Sequence, residues 1–331
     1  MAAVDGPPVG LVLGASLPPQ QLCETAALGE RLGFTELWCA EDYFFTGGIS
    51  ATTAALAATE RVPIGLGIVS ALVRHPAVLA MELATVAGVH PGRFMPGIGL
   101  GVPSWLDQMK LMPASPLTAM RECMSAVRRL LDGETLTEEG RYLAFDEVRL
   151  THPADERVPL QMGVINPKMV ELAGELADGL VLSVLAGVEY VRWARERLAA
   201  GAERAGRVGE RHRVETFVLF SVDHDGQRAK DALRDTTAFY LAAVPSSALT
   251  DVYGVGAELL AMVEGGAERV RRELPAQWLE DLVVAGTPDE CAEKIEALIG
   301  AGSDSVILMP TPAERAPELV ELAAKEVLPR L

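Results

Sequence analysis

The chain alternates short apolar runs with longer segments in which apolar residues recur every three to four positions. The runs predict buried strands and the longer segments predict amphipathic helices. Eight runs read as strands, at Val9–Leu13, Glu36–Ala40, Pro63–Val69, Phe94–Leu100, Val158–Gly163, Gly179–Val184, Val214–Val222 and Ser305–Met309. Eight strands separated by helices predict an α/β fold of the (β/α)8 type, the TIM barrel.

Two segments depart from this alternation and hold the roughly 80 residues beyond the ~250 of a usual barrel. Residues 133–150 alternate polar and apolar positions around Glu139-Gly140, which predicts a β-hairpin insertion after the fourth helix. Residues from about 225 to 285 follow the seventh strand and show helical periodicity broken by Pro245, Gly254 and Pro275. We expect several short helices there, forming a lid over the barrel mouth. A single domain over residues 1–331 is the simplest division.

The charge of the chain limits its partners. Lys and Arg number 29 and Asp and Glu number 46, a formal net charge of −17. This excess argues against nucleic acid or an anionic membrane as a partner, so an anionic ligand must be held by a few local donors. The first residues lack the basic end and apolar stretch of a signal peptide, and no apolar run is long enough to span a membrane. We therefore expect a cytoplasmic protein that acts on a small molecule.

The cysteines give no sign of a disulfide framework or a metal site. Cys23, Cys39, Cys123 and Cys291 lie far apart, without a CxxC motif or the His/Cys spacing that a metal would need. We therefore expect no metal in this protein.

Carboxylates and aromatic residues follow the second predicted strand, where a barrel of this type places its chemistry. Asp42 could donate or accept a proton if an apolar neighbour raised its pKa, and Glu41 is a second candidate for the same role. The alternative is that Glu41 anchors the barrel by hydrogen bonds and Asp42 caps a turn.

Aromatic side chains near the mouth are candidates for the wall of a substrate pocket, although such residues often only pack. These candidates are Tyr43, Phe44, Phe45, Trp105 and, in the lid, Tyr240 and Tyr253.

Glycines interrupt the third and fourth strands. A glycine inside a strand often marks a bulge or the close approach of a ligand, and this favours a bulge at Gly67-Ile68 over a simple taper of the barrel. The fourth strand ends in a GxGxG pattern whose last residue is Gly101. Since the pattern lacks the spaced acidic residue of a dinucleotide fold, we expect it to keep the strand flat beneath a ligand.

The fifth strand leads into a helix that is expected to begin at about Pro167. Backbone N–H groups at a helix N-terminus, together with the helix dipole and a nearby ammonium, form an anion site without a positively charged surface. The candidates for this site are Gly163, Val164, Asn166 and Lys168. The alternative is a capped turn with a solvated lysine.

Several segments resemble, in order, the bacterial luciferase-like family, and most closely its enzymes that use the deazaflavin coenzyme F420. They are ERLGFTELWCAEDYF, ALAATERVPIGLGIVSALVRHPAVLAMELATV, GRFMPGIGLG and VPLQMGVINPKMVELAGELADGLVLS. The resemblance implies a TIM-type barrel with the cofactor at its carboxyl-terminal mouth, and hydride transfer or flavin-dependent oxygenation. In the family, a bulge with a non-proline cis peptide supports the ring and maps onto Gly67-Ile68. The loop that receives the phosphate maps onto residues 163–168, and a homodimer is also implied.

The chain departs from some members of that family. Many relatives carry a histidine where this chain has Asp42, and relatives that oxidise sugar phosphates carry a glutamate where it has Val102. Monooxygenases that use FMN often place an arginine in the loop matching residues 97–108, and this chain has none there. We therefore predict an F420-dependent oxidoreductase that transfers a hydride between the cofactor and a small organic substrate. The alternatives are an FMN-dependent luciferase-like monooxygenase and a flavin-binding barrel without catalysis.

Overall fold

The computed structural model describes residues 6–14 and 16–331. These residues form eleven strands, eight of them in the barrel wall. The strands are β1 (Val9–Leu13), β2 (Glu36–Cys39), β3 (Ile64–Ser70), β4 (Phe94–Gly99), β5 (Leu136–Glu139), β6 (Ala144–Val148), β7 (Gln161–Gly163), β8 (Gly179–Leu182), β9 (Arg213–Val222), β10 (Val284–Gly286) and β11 (Ser305–Pro310).

The described helices cover the outside of the barrel, extend over its mouth and complete the carboxyl-terminal end. They are α1 (Leu22–Arg31), α2 (Gly48–Ala57), α3 (Pro76–Val89), α4 (Pro103–Gln108), α5 (Pro116–Leu131), α6 (Pro167–Leu176), α7 (Val188–Arg204), α8 (Gly226–Ala243), α9 (Ala248–Asp251), α10 (Gly256–Glu264), α11 (Ala267–Glu273), α12 (Ala276–Leu282), α13 (Pro288–Ala301) and α14 (Ala316–Leu322). In the part of the chain that the structure describes, no helix is both long and apolar enough to cross a membrane.

The sheet closes into a parallel barrel. Its strand order is β1-β2-β3-β4-β7-β8-β9-β11, and parallel pairing of β11 with β1 joins the two ends. Each neighbouring pair is parallel, so the carboxyl ends of all eight strands meet at one mouth. The predicted (β/α)8 fold is therefore confirmed, and ligand sites of such folds lie at this mouth.

The bounds of the predicted strands lie within two residues of the observed ones, except in two places. The fifth predicted strand is observed only as β7, because Val158 and Leu160 are buried without joining the ladder. The short strand β10 pairs with β9 and was missed, because its residues were assigned to the lid. A three-residue strand is too short to produce a periodic signal in the sequence.

Both predicted insertions are present. Antiparallel β5 and β6 form the hairpin, with Glu138 opposite Phe145. Helices α8 to α12 lie between β9 and β10 and form the lid segment. Its first helix, α8, has 18 residues and is longer than the short helices expected from the sequence. That residues 1–331 make up a single domain stays a prediction.

Side chains fill the interior of the barrel below the mouth. Trp38 is fully buried, and its ring contacts Phe217 edge-on with ring centroids 5.4 Å apart. Gly65 makes room for it, since a Cβ there would lie 2.2 Å from the indole. Closer to the amino ends of the strands, Arg213 pairs with Glu36 and with Glu215 at 2.9 and 2.8 Å. A ligand of the barrel must therefore bind at the mouth.

Candidate active site

Glu41, which follows β2, is held by several partners. Its carboxylate accepts two hydrogen bonds from the Arg74 guanidinium, at 2.7 and 2.8 Å. Oε2 also accepts from the backbone N–H of Gly48, at 3.0 Å, where α2 begins. The side chain is 3% exposed. These contacts join the loops after β2 and β3 and favour the anchoring alternative for Glu41 over a role in proton transfer.

Asp42, the next residue, is half-buried, and burial raises the pKa of its carboxyl group above the ordinary value. Tyr240, in lid helix α8, lies close enough for the two groups to interact. Burial is the main cause that raises the pKa of Tyr240 to about 12, and the charge of Asp42 adds to it. The sequence suggested Tyr240 only as one of two lid tyrosines, because nothing local shows which residue of the loop after β2 a lid helix will face.

Three of the predicted wall residues are brought together beside Asp42. The ring of Tyr43 lies 6.1 Å from that of Trp105 and 6.2 Å from that of Phe44, between centroids. Gly101 has a φ of +92° and lies next to them, since a Cβ there would be 3.7 Å from the Tyr43 ring. The backbone between Tyr43 and Phe44 contains a cis peptide bond.

Tyr253 lies elsewhere, in the contact between the lid and the barrel. Its hydroxyl accepts a hydrogen bond from the backbone N–H of Tyr190, in the first turn of α7, at 3.4 Å. A Cβ on Gly187 would lie 2.5 Å from the same oxygen. These contacts join Tyr253 to the start of α7, and its place in a substrate pocket stays a prediction. The sequence could not show this, since the lid helices are short and their packing faces ambiguous.

The bulge expected in the third strand is present. The pairing of β3 with β4 shifts register between Leu66 and Val69, and the Gly67-Ile68 peptide is cis. The half-buried Ile68 side chain lies over glycines of β4 and of β7, the next two strands in the sheet. A Cβ would lie 2.8 Å from this side chain at Gly99 and 2.4 Å at Gly163. The glycines of β4 therefore accommodate Ile68, a more specific reason than the flat strand that the sequence suggested.

The loop after β7 leads into α6 as predicted. Asn166 is the N-cap residue of the helix, and within the described residues its side chain caps no N–H group. The hydroxyl of Tyr190 donates to the carbonyl of Ile165 at 2.7 Å and fixes the loop. Lys168 is exposed in the first turn. Val164 is 7% exposed, so it could contact a ligand mainly through its backbone.

The fold is a (β/α)8 barrel, and its mouth has the features of an active site: a half-buried carboxyl group, an aromatic wall, a strand bulge and the start of a helix. A family model described as luciferase-like monooxygenase matches residues 5–305. The chain belongs to this family.

Relatives with curated functions extend the comparison. The chain is 27% identical over 325 residues to the 5,10-methylenetetrahydromethanopterin reductase of Methanolobus tindarius, covering 96% of this chain and 99% of the relative. It is 29% identical over 333 residues to the F420-dependent glucose-6-phosphate dehydrogenase of Beutenbergia cavernae, covering 95% and 94%. The resemblance to the F420-dependent branch of the family, and the expectation of an enzyme, are confirmed.

A solved structure supports the same fold. The coenzyme F420 dependent tetrahydromethanopterin reductase from Methanopyrus kandleri superposes with a TM-score of 0.84 at 24% identity, covering 98% of this chain and 99% of the other. At this identity the likeness extends to the fold alone.

Proposed function

We propose that this protein is an F420-dependent oxidoreductase that transfers a hydride between the cofactor and a small organic substrate at the barrel mouth. The observation that carries the proposal is that the Gly67-Ile68 bulge, Asp42 and the start of α6 lie at the carboxyl ends of the strands of one barrel. Relatives across nearly the whole chain include F420-dependent enzymes, and this supports the choice of cofactor.

The residues at the mouth fit a flat ring with an acidic tail. At the bulge, the half-buried Ile68 offers an apolar surface. Gly163 leaves room for the Ile68 side chain, Gly67 leaves room for the Phe217 ring, and Gly101 lies beside Tyr43. These residues would hold the ring. The backbone of Val164, the N–H groups that begin α6, Asn166 and the Lys168 ammonium would hold the phosphate.

When bound, the deazaflavin supplies the ring carbon that gives or takes the hydride. The protein supplies position, a dry pocket and a proton. Asp42 is the group proposed to hold that proton, because burial raises the pKa of its carboxyl group. Glu41 acts through position: its ion pair with Arg74 fixes the loop that carries Asp42.

Two observations favour this proposal over the alternatives. Residues 97–108, which run from the end of β4 through the following loop and α4, contain neither arginine nor lysine, which disfavours an FMN phosphate there. The half-buried carboxyl group of Asp42 beside an aromatic wall favours catalysis over simple binding, because perturbed carboxyl groups cluster at active sites.

We also propose that the protein is a homodimer in the cytoplasm. Helix α3 carries three exposed apolar side chains: Val78, Met81 and Val89 are 46, 53 and 67% exposed. Large apolar side chains that are exposed on one element often mark a surface that another chain covers. Sedimentation should give the mass of a dimer, and Met81→Lys should give a monomer; a wild-type monomer would refute the proposal.

The function is tested by titrating the purified protein with F420 and with FMN while following cofactor fluorescence. We expect tighter binding of F420, and about tenfold weaker binding by Lys168→Ala, which removes a charge-assisted contact. Lys325→Ala, in a helical turn near the carboxyl terminus, is the matched control. A preference for FMN would refute the choice of cofactor.

A further inference from the structure

Three phenylalanines are unusually exposed. Phe44, Phe45 and Phe239 are 69, 64 and 66% exposed, and the chain contains eight phenylalanines in all. Phe44 and Phe45 lie in the loop after β2, and Phe239 lies in lid helix α8. Large apolar side chains that are exposed together mark a binding surface more often than single ones do.

Ring contacts connect Phe44 and Phe239 to the proposed active site, and Phe45 follows Phe44 in the same loop. Tyr43 links Phe44 to Trp105, with ring centroids 6.2 and 6.1 Å apart. On the lid, the ring of Phe239 lies edge-on to that of Tyr240, with ring centroids 5.5 Å apart. Tyr240 is the lid residue whose pKa is raised in part by the charge of Asp42. We call this set the aromatic rim: Tyr43, Phe44, Phe45, Trp105, Phe239 and Tyr240.

The charges on the rim disfavour an anion. Residues 40–47 and 100–109, which carry the rim on the barrel side, include Glu41, Asp42 and Asp107 but no arginine or lysine. Glu41 is neutralised by Arg74. Residues 236–244 of the lid contain no charged residue. Among these residues, an anionic group would face the carboxyl groups of Asp42 and Asp107 with no arginine or lysine to offset its desolvation, and the next residue, Lys110, is exposed.

We propose, on the basis of the proposed function, that the substrate is an uncharged molecule with an aromatic or branched alkyl body and a carbonyl group. The body packs on the aromatic rim and the carbonyl oxygen lies at Asp42. In the direction of reduction, the carbonyl carbon accepts a hydride from the reduced deazaflavin, and the C=O π bond breaks. The oxygen takes the proton of the Asp42 carboxyl group. The products are an alcohol, an Asp42 carboxylate and the oxidised deazaflavin, and the ring proton that the cofactor also loses passes to solvent, from which Asp42 is protonated again.

The inference is tested with a matched pair of ligands, acetophenone and 4-acetylbenzoate, which differ by one carboxylate. Binding is measured by calorimetry to the wild-type protein, both without cofactor and saturated with oxidised F420, so that no turnover occurs. We expect acetophenone to bind at least about tenfold more tightly, because the carboxylate would be desolvated among acidic residues. Equal affinity, or tighter binding of the carboxylate, would overturn the inference.

Variants test whether the aromatic rim carries the binding. Phe44→Ala and Phe239→Ala should each weaken acetophenone binding at least about threefold, since each removes a large apolar contact. Their affinity for F420, measured separately, should stay within about twofold. Val208→Ala is the control: this side chain is 76% exposed in the loop after α7, away from the mouth. Unchanged acetophenone binding in both phenylalanine variants would contradict the inference.

The cofactor titration separates the two proposals. If F420 binds but the neutral ligand is not preferred, only the substrate class is wrong. If F420 does not bind while the protein without cofactor still prefers acetophenone, the proposed function is wrong and the rim binds apolar molecules in another context.

Discussion

Glu41 and Arg74 form a two-point ion pair at the barrel mouth, with N–O distances of 2.7 and 2.8 Å. The pair joins the loop after β2 to the loop after β3. Because the Glu41 side chain is 3% exposed, removing it leaves the guanidinium with no partner for two of its N–H groups. The pair therefore has consequences for both stability and catalysis.

Replacing Glu41 with alanine should destabilise the protein by about 2–3 kcal/mol, the usual effect of removing a hydrogen-bonded charged partner. Urea unfolding measures the change in the free energy of unfolding. The control is Glu60→Ala, which removes an exposed pair with Arg61 at 3.7 Å and should cost less than about 0.5 kcal/mol. Equal losses in the two variants would contradict the anchoring role.

Asp42→Asn should lower kcat at least about 100-fold while leaving F420 affinity within about threefold, because the amide keeps the shape of the side chain but moves no proton. If Asp42 acts as the acid, wild-type kcat should fall as pH rises through the raised pKa of this carboxyl group. A pH profile of kcat for both proteins tests this. A wild-type profile that persists in Asp42→Asn would remove Asp42 from the mechanism.

Glu215, inside the barrel, should make stability depend on pH. Burial is the main cause that raises the pKa of Glu215 to about 8, although Arg213 opposes the shift. The folded state therefore favours the protonated acid, so this contribution to stability is present at low pH and is lost as pH rises towards 8. Glu215→Gln should remove that dependence. Its free energy of unfolding, measured relative to that of wild type, should therefore rise by about 1 kcal/mol or more from pH 5 to pH 8.

Urea unfolding at the two pH values provides the measurement. Glu296→Gln, on the exposed side of α13, is the control and should show no such difference between the pH values. If the free energy of unfolding of Glu215→Gln differs from that of wild type by the same amount at pH 5 and at pH 8, then Glu215 is ionised in the folded protein throughout this range.

Gly163→Ala should destabilise the protein by about 1–3 kcal/mol, because the new methyl group would lie 2.4 Å from the Ile68 side chain. The double variant Gly163→Ala with Ile68→Ala should recover part of the loss, and a double-mutant cycle measures this coupling. Gly300→Ala is the control, because a Cβ there contacts nothing within 4 Å and the position lies in α13. Additive losses at Gly163 and Ile68 would show that the contact is unimportant.

The sequence predicted the barrel well because buried parallel strands are short apolar runs, a local signal that survives in every wall strand. It missed β10, whose three residues carry no period. At the site, it predicted the bulge at Gly67-Ile68 and the loop before α6, since glycine and proline constrain the local backbone. It could not predict contacts between distant residues.

Three such contacts change the view of the site. The pairing of Glu41 with Arg74 spans 33 positions, and the approach of Tyr240 to Asp42 depends on how the lid packs. The hydroxyl of Tyr253, a predicted pocket residue, contacts the start of α7 at Tyr190. In each case the residue type was informative, and the partner was set by the tertiary structure.

The central claim is that one mouth holds the deazaflavin ring at Gly67-Ile68 and its acidic tail at the start of α6. A crystal structure of the protein soaked with F420 tests it most directly. We predict that the ring contacts Ile68 and that the phosphate accepts hydrogen bonds, at about 2.7–3.2 Å, from backbone N–H groups of residues 163–168. A ring bound away from Ile68, or a phosphate held outside this loop, would contradict the account.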